Sequence, residues 1–236
     1  MRDRDRVELS VASTGRSVAS RISVELRDLV IAGWTGRDGA AVERHIQELE
    51  AIGVARPKHT PMFYRVSADR ITTDAVVDAV GEGSTGEAEF VLLKRGHDFY
   101  VGLGSDHTDR KAEVFGVTLS KQMCPKPIAA QIWRWRDVEP HWDELTLRCV
   151  ATVAGKKLLY QQGSVTAMLH PKELLARYEN VSREKFTHGT AMFCGTLAAK
   201  NRVSWAERYE LELIDPVLKR KLRHTYRVRS LPIVEE

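Results

Sequence analysis

The chain has 236 residues, 43% of them apolar and 29% charged, and its 36 basic and 32 acidic residues give a net charge of +4. This composition is typical of a globular protein with a sizeable core, and so mild and interspersed a charge does not indicate a nucleic-acid partner. No apolar stretch approaches the ~20 residues of a membrane helix, and the N-terminus lacks the apolar core of a signal peptide. Three cysteines, Cys124, Cys149 and Cys194, form an odd and sparse set that suits a reducing compartment. We therefore expect a cytoplasmic protein with neither membrane nor nucleic-acid partners.

The first 60 residues combine strand and helix signals. Residues 20–34 alternate and then run apolar, which indicates a strand. A helix is predicted within residues 35–54, with Asp38 suited to its N-cap and Gly53 to its end. Its apolar face is formed by residues at helical spacing, Val42, Ile46 and Leu49.

From Pro61 the chain changes to short β-rich runs broken by Gly, Asp and Pro. The predicted strands lie within residues 61–66, 71–80, 88–94, 98–104, 113–120, 145–163, 190–197, 209–216 and 224–234. KRGHD and VAGKK are hairpin-turn candidates, and one helix is predicted at 170–180 with Pro171 in its first turn. The sequence thus predicts a mainly β, α+β protein. Residues 1–60 form a small N-terminal α/β segment and residues 61–236 a β-rich domain, together in one continuous unit.

Two glutamates mark the start of one predicted strand. Glu87 and Glu89 are two residues apart in GEAEFVLLK, so a strand points both to the same face. Adjacent carboxylates repel each other, but a hard divalent cation such as Mg²⁺, Mn²⁺ or Ca²⁺ would bind both. Asp106 follows the next strand and would add a third carboxylate. The alternative, a solvated outer face, is the more common meaning of such a pair taken by itself.

The segment GSDHTDR contains the residue types of a nucleophilic triad in Ser105, His107 and Asp109. A strand would place these three along one edge, whereas working triads usually draw on distant segments. His107 is a possible metal ligand, although a lone histidine is more often a hydrogen-bonded structural residue. The local pair Asp109 and Arg110 could be an ion pair.

Other ionisable residues allow both functional and structural interpretations. His45 and Glu48 lie at i and i+3 of the predicted helix, where a carboxylate would orient a basic imidazole, but such a pair taken by itself is more often part of an exposed helix face. Lys121 would stabilise an anion if buried beside a metal, yet most lysines lie at the surface. The segment IWRWRDVEPHWDEL resembles a stacking platform for bases, although core packing is the more common role of such tryptophans.

Eight segments follow one another in an order that resembles the fumarylacetoacetate hydrolase superfamily from about Gly33 to Val228. The family's segments are, in order, N-Y-x-x-H-x-x-E, P-V-x-F-x-K, Y-E-x-E-L-A, N-D-V-S-A-R-D, K-S-F-D, V-N-G-x-x-x-Q, S-x-x-x-L-I and G-D-V-I-x-T-G-T-P. The segments that resemble them here are, in the same order, His45–Glu48, Pro61–Arg65, Gly86–Phe90, Ser105–Arg110, Ser120–Cys124, Val153–Gln161, His170–Leu175 and His188–Thr196. The chain departs from the pattern at Ser105 in place of Asn, at the inverted order Asp109-Arg110, and at the missing proline after Thr196. These departures indicate a divergent branch.

The resemblance implies a fumarylacetoacetate-hydrolase-like mixed β-roll, a homodimer, and a metal-dependent hydrolase that cleaves a C–C bond in an acylpyruvate-like 2-oxo or β-dicarbonyl acid through a metal-held enolate. By the same resemblance, His45 lies on a lid helix and activates water, oriented by Glu48, while Lys121 stabilises the enolate. The metal, Mg²⁺ or else Mn²⁺ or Ca²⁺, is expected on Glu87, Glu89 and Asp106. Substrate-binding residues are expected at Arg110, Gln161, Gly195 and Thr196.

Three alternatives to hydrolysis stay open from the sequence. Decarboxylation, hydration or isomerisation of a related oxo acid would use the same metal ligands. A non-catalytic binding protein on the same scaffold is favoured by the departures at Ser105 and Asp109-Arg110, and opposed by the retained carboxylates and Lys121. A nucleic-acid-binding module would use the Trp–Arg segment and would show a steep salt dependence.

Overall fold

Strands are the commonest secondary structure among the described residues. The computed structural model describes residues 6–12, 20–51, 56–201 and 205–234, without the side chains of residues 6, 45, 48 and 49. The helices of this part are α1 Gly39–Glu50, α2 Val117–Gln122, α3 Trp135–Val138 and α4 Pro171–Ser182. Its strands are β1 Arg6–Val11, β2 Ser20–Glu25, β3 Asp28–Gly33, β4 Met62–Val66, β5 Ile71–Thr72, β6 Val76–Val80, β7 Ser84–Thr85, β8 Ala88–Arg95, β9 Asp98–Ser105, β10 Thr108–Asp109, β11 Lys126–Pro127, β12 Gln131–Arg134, β13 Thr146–Val153, β14 Lys156–Ser164, β15 Thr190–Thr196, β16 Arg208–Asp215 and β17 Arg220–Leu231.

An eight-stranded sheet contains the central strands of the fold, in the order β2-β1-β12-β9-β8-β15-β3-β4. Strands β8, β9 and β15 are buried along almost their whole length. Their side chains alternate between two hydrophobic clusters, with Phe90 and Leu92 on one face and Val91 and Leu93 on the other. Because both faces are covered, these strands are nearly continuous apolar runs in the sequence.

A five-stranded sheet, ordered β14-β13-β16-β17-β6, packs against one face of the larger sheet. Along β16 and β17 buried and more exposed residues alternate, as expected of a sheet with one solvated face. The inward-facing Tyr209, Leu211 and Tyr226 belong to the same cluster as Phe90. The fold is therefore mainly β with a smaller helical part, as the sequence predicts, and two sheets enclose its largest core.

The N-terminal segment contributes strands to the larger sheet. The strand predicted over residues 20–34 is two strands, β2 and β3, and β3 pairs with β15 on one side and β4 on the other. The helix predicted within residues 35–54 is α1. Asp38 caps it, because its Oδ1 accepts hydrogen bonds from the backbone N–H groups of Ala40 and Ala41 at 2.9 and 3.1 Å. Gly53 lies outside the described residues. The division of the chain at residue 60 stays a prediction.

The prediction of a strand over residues 113–120 is wrong. The structure has a short 3₁₀ turn there, followed by α2. Valine, phenylalanine and threonine favour strands, but the adjacent residues Ser120 and Lys121 are both buried, and a strand would have pointed them to opposite faces. Helical geometry turns both side chains inward, and this places Lys121 next to the end of β9.

The second predicted helix and both predicted hairpins are confirmed. Helix α4 begins at Pro171, and its N-cap residue His170 accepts a hydrogen bond from the Lys172 backbone N–H through Nδ1 at 3.2 Å. Strands β8 and β9 form one hairpin, and β13 and β14 form the other. Among the described residues, no helix is both long and apolar enough to cross a bilayer.

Candidate metal centre

Three carboxylates converge at the open end of the hairpin β8–β9. Glu87 directly precedes β8, Glu89 lies within it, and Asp106 directly follows β9. The strand register pairs Ala88 with Ser105, so the two ends of the hairpin lie side by side. The Asp106 backbone N–H donates to the Glu87 carbonyl at 2.9 Å and continues the ladder. One oxygen from each of the three carboxylates lies within 4.8 Å of the others.

These carboxylates fit a hard divalent cation. The side chains of Glu89 and Asp106 are almost completely buried, with 2% and 1% exposure of the residues, while Glu87 is half-buried. Asp106 Oδ1 is a buried oxygen that accepts no hydrogen bond from the described residues. A buried carboxylate oxygen without a donor is costly unless a cation binds it, and an all-oxygen donor set suits Mg²⁺, Mn²⁺ or Ca²⁺.

Glu89 is held in an environment that opposes its charge. Burial, and then the negative charge of Asp106, raise the pKa of Glu89 well above its usual range. The Gly195 backbone N–H donates to Glu89 Oε2 at 2.7 Å, which offsets a small part of this effect. Without a cation, the carboxyl therefore keeps its proton to higher pH than an exposed glutamate does. A bound divalent ion would replace that proton.

Asp106 is held in the opposite state by two lysines. Burial alone would raise its pKa, but the charges of Lys121 and Lys126 outweigh burial, so the pKa of Asp106 lies below its usual value. Lys121 Nζ donates to Asp106 Oδ2 and, at 3.0 Å, to Thr108 Oγ1. Lys126 Nζ lies 3.4 Å from Oδ1. Asp106 is therefore ionised, with Oδ2 hydrogen-bonded and Oδ1 in an ion pair with Lys126 but without a hydrogen bond.

Lys126 is a site residue that sequence analysis missed. Its side chain is fully buried, and its Nζ donates to the backbone carbonyls of His107 and Lys121 at 2.6 Å and of Cys124 at 3.3 Å. These contacts join the segment that bears Lys121 to the segment that bears Asp106. Lysine between two prolines in CPKP is typical of a surface turn, so the sequence gives no signal for this role.

Arg110 contacts Glu87. Its Nη2 donates to Glu87 Oε1 at 2.6 Å, its Nη1 to Glu113 at 3.1 Å, and its Nε to Thr85 Oγ1 at 2.8 Å. The guanidinium thus links one metal-site carboxylate to a neighbouring acidic residue. The substrate contact expected of Arg110 stays a prediction.

Gln161 and Thr196 brace the start of β8. Gln161 Oε1 accepts from the Ala88 N–H at 2.9 Å, and its Nε2 donates to Thr196 Oγ1 at 2.6 Å and to the Leu197 carbonyl at 2.8 Å. Thr196 Oγ1 in turn donates to the Ala88 carbonyl at 2.7 Å. Both side chains therefore fix the residue between the two glutamates. Their predicted contacts with substrate are not tested by these bonds.

Gly195 lies against the same strand. Its φ of 94° is in the region that favours glycine, and a Cβ at this position would lie 1.8 Å from Thr35 Oγ1. This close approach allows its N–H to reach Glu89. The motif GT at 195–196 thus lies beside the carboxylates, and its role in binding substrate stays a prediction.

The catalytic pair expected on the lid helix cannot be compared with this geometry. His45 and Glu48 lie within α1, but their side chains are outside the described part of the structure. Lys121, the third expected catalytic residue, is buried against Asp106. Of the ten site residues expected from the sequence, eight therefore lie on or beside the β8–β9 end.

The segment after β9 alternates between two faces. Asp106 and Thr108 face Lys121, whereas Ser105 and His107 face the five-stranded sheet. Asp109 accepts from the two backbone N–H groups at residues 111 and 112, both at 2.9 Å. No hydrogen bond joins the serine, histidine and aspartate to one another, so this segment forms no nucleophilic triad among the described residues.

His107 is a neutral structural histidine. Its Nδ1 lies 2.9 Å from Ser84 Oγ, and its Nε2 lies 2.8 Å from the Tyr226 hydroxyl. Burial, helped by the charge of Lys126, lowers the pKa of His107 to about 3. Tyr226 is separated by 119 residues from His107 in sequence, and no local pattern predicts the contact.

Solved structures share this fold. The chain aligns with Cg1458 crystallised with an inhibitor at a TM-score of 0.62 and 12% identity, over 94% of this chain and 88% of that one. A 2-keto-3-deoxy-D-arabinonate dehydratase complexed with magnesium and 2,5-dioxopentanoate gives 0.57 and 12%, over 91% and 79%. A 4-oxalocrotonate decarboxylase from Pseudomonas putida G7, complexed with calcium and acetate, gives 0.57 and 16%, over 85% and 76%. The fold is thus the fumarylacetoacetate-hydrolase-like α+β fold that the resemblance implies.

Sequence comparison identifies the family. No curated protein matches the chain. The sequence profile of one family, described as "Protein of unknown function (DUF2848)", matches residues 32–226, a span that includes the three carboxylates, both lysines and Tyr226. The chain belongs to the DUF2848 family.

Proposed function

We propose that this chain is a metal-dependent enzyme of the fumarylacetoacetate hydrolase superfamily that acts on a 2-oxo acid, and that it hydrolyses a C–C bond in an acylpyruvate-like substrate. One observation carries the proposal: the Asp106 carboxylate lies close to two further carboxylates, with Oδ1 buried without a hydrogen bond and Oδ2 bonded by Lys121. A solvated strand face would not bury two carboxylates and two lysines together.

Glu87, Glu89 and Asp106 would hold the ion, with Mg²⁺ as first choice and Mn²⁺ or Ca²⁺ as alternatives. When bound, the ion supplies Lewis-acid polarisation of a substrate carbonyl. Lys121 is fixed by two hydrogen bonds, and the charge of Asp106 raises the pKa of its ammonium group against the effect of burial. It would therefore stay protonated and stabilise the negative charge on the departing carbon fragment.

The remaining expected residues complete the proposal. His45, oriented by Glu48, would take the proton of the attacking water. Arg110, Gln161, Gly195 and Thr196 would bind substrate oxygens at the open end of β8, where the structure has them next to Glu87 and Glu89. Each of these roles is proposed from the family resemblance.

Decarboxylation is the second candidate reaction. Two proteins with this fold are a dehydratase complexed with magnesium and a decarboxylase complexed with calcium, and neither reaction requires the water-activating pair that hydrolysis of a C–C bond needs. The carboxylates and Lys121 would be common to both reactions. A non-catalytic binding protein would keep the carboxylates and show no turnover.

The first test is a thermal-shift titration of EDTA-stripped protein with Mg²⁺, Mn²⁺ and Ca²⁺, with and without oxalate. We expect a metal to raise the melting temperature and oxalate, a dianion with vicinal oxygens, to add to it only when metal is present. Glu87→Gln/Glu89→Gln is expected to lose both effects. A melting temperature of the wild-type protein that none of the three metal ions changes would contradict the metal assignment.

A substrate screen then separates the reactions. Acylpyruvates and oxaloacetate are to be followed with wild-type protein and His45→Ala. Hydrolysis predicts turnover of acylpyruvates that His45→Ala loses, whereas decarboxylation predicts turnover of oxaloacetate that His45→Ala retains. Metal and oxalate binding without any turnover would favour the binding protein.

We also propose a cytoplasmic homodimer. The location is supported by the three cysteines, which are all buried and free. The dimer is supported by the family resemblance alone, and light scattering of the purified protein tests it.

A further inference from the structure

A single hydroxyl group holds both neighbours of Asp106. The Tyr226 hydroxyl donates to Ser105 Oγ at 2.7 Å and lies 2.8 Å from His107 Nε2. Ser105 and His107 are the residues directly before and after Asp106. The tyrosine hydroxyl thus bridges the backbone segment from which the third carboxylate projects, on the face opposite to the carboxylate itself.

The bridge belongs to a buried chain of hydrogen bonds. The Tyr226 hydroxyl donates its one proton to Ser105 Oγ. His107 Nε2–H is therefore the donor of the bond to the Tyr226 oxygen, and His107 Nδ1 accepts from Ser84 Oγ at 2.9 Å. Cys124 Sγ lies 3.4 Å from Ser84 Oγ and ends the chain. Every one of these side chains is buried, so none of the bonds can be replaced by solvent without opening the core.

The surrounding packing leaves this hydroxyl little freedom. Tyr226 lies on β17, and its ring stacks on Tyr209 with centroids 5.4 Å apart. Gly86 lies directly over the bridge: a Cβ there would lie 2.6 Å from Ser105 Oγ, 2.7 Å from the Tyr226 hydroxyl and 2.8 Å from His107 Nε2. Gly86, the residue before Glu87, therefore packs against these three side-chain atoms. The segment that bears Glu87 and the segment that bears Asp106 thus both contact the Tyr226 bridge.

We propose that Tyr226 is a positioning residue for the metal centre: its hydroxyl bonds to Ser105 and His107 and thereby fixes the direction in which Asp106 presents its carboxylate to Glu87 and Glu89. The inference rests on the proposed function, because it requires that Glu87, Glu89 and Asp106 bind a metal. Mg²⁺ requires near-octahedral geometry with short bonds, while Ca²⁺ tolerates variable geometry. A clamp of this kind therefore favours Mg²⁺ over Ca²⁺.

The test compares two tyrosine-to-phenylalanine variants by titration calorimetry of metal-free protein with Mg²⁺ and with Ca²⁺. Tyr226→Phe removes only the bridging oxygen. Tyr178→Phe is the matched control, because Tyr178 is a buried tyrosine whose hydroxyl bonds to Glu184, away from the metal centre. We expect Tyr226→Phe to bind Mg²⁺ about tenfold or more weakly, with a clearly smaller loss for Ca²⁺, and Tyr178→Phe to bind both ions like wild type.

Several outcomes would overturn the inference. Unchanged Mg²⁺ affinity in Tyr226→Phe shows that the hydroxyl does not position the site. Equal losses for Mg²⁺ and Ca²⁺ that follow the loss of thermal stability show a structural role only. If Tyr226→Phe does not fold, Ser105→Ala, which removes one of the two bridge bonds, must show the same preferential loss of Mg²⁺. Wild-type protein that binds no metal overturns the proposed function as well, whereas wild-type binding with an unaffected Tyr226→Phe overturns only this inference.

Discussion

Lys126 Nζ lies 3.4 Å from Asp106 Oδ1 without a hydrogen bond to it, since the ammonium group donates to three backbone carbonyls instead. An ammonium group has three N–H donors, so this arrangement uses all of them. Asp106 is thus paired with a second cation, but its Oδ1 accepts no hydrogen bond. The lysine therefore keeps the carboxylate ionised and leaves it available as a ligand.

The first prediction follows from these contacts. Lys126→Met would take the ammonium donor away from three buried carbonyl groups, of which the Lys121 carbonyl keeps a bond from the Cys124 N–H, and would remove one of the two cations beside Asp106. We expect the free energy of unfolding of metal-free protein to fall by about 3 kcal/mol or more. Urea unfolding measures the change, and Lys157→Met is the control because the Lys157 side chain is 63% exposed. Equal stabilities of the two variants would contradict the structural role of Lys126.

A second prediction concerns the stability of the metal-free protein. The unfolded chain releases the Glu89 proton near the ordinary value of 4.5, whereas the folded protein keeps it to higher pH, because burial and Asp106 raise the pKa. As pH rises above 4.5, the Glu89 contribution therefore lowers the stability of the folded state until the folded pKa is passed. Glu89→Gln removes this contribution. We expect the variant to be more stable than wild type at neutral pH in EDTA, and the difference to shrink towards acidic pH in denaturant titrations at several pH values.

Metal binding should release a proton. Because the metal-free site keeps a proton on Glu89 and a bound cation requires the carboxylate, raising the pH up to the folded pKa should tighten Mg²⁺ binding. Calorimetry in two buffers of different ionisation enthalpy measures the number of protons released, which we expect to be above zero below the folded pKa of Glu89 and to fall as the pH rises past it. Asp106, whose pKa is lowered, should contribute none. A buffer-independent binding enthalpy would show that Glu89 is already ionised.

The close approach of Gly195 to Thr35 gives a fourth prediction. Gly195→Ala would place a Cβ 1.8 Å from Thr35 Oγ1 at a φ of 94°, and would displace the N–H that donates to Glu89. We expect a loss of about 2 kcal/mol or more in the free energy of unfolding, together with weaker metal binding. Gly39→Ala, in the first turn of α1 with open space around it, is the control and should leave both quantities close to wild type.

The three carboxylates were accessible to sequence analysis because their placement depends on local rules. Strand periodicity puts Glu87 and Glu89 on one face, and the KRGHD turn sets the register that brings Asp106 beside them. Lys126 and Tyr226 could not be found in this way, because their contacts depend on how distant or irregular segments pack. The helical form of residues 117–122 was missed for the same reason, since burial of Ser120 and Lys121 outweighs the strand preference of that segment.

The bridge from Tyr226 to the hairpin also sets the order in which the site can mature during synthesis. Glu87, Glu89 and Asp106 leave the ribosome early and within twenty residues of one another. The groups that brace them, from Gln161, Gly195 and Tyr226, lie further along the chain and are synthesised later. A nascent chain would therefore contain the ligands before it contains the residues that fix their geometry, and we expect metal to be captured only after Tyr226 has left the ribosome.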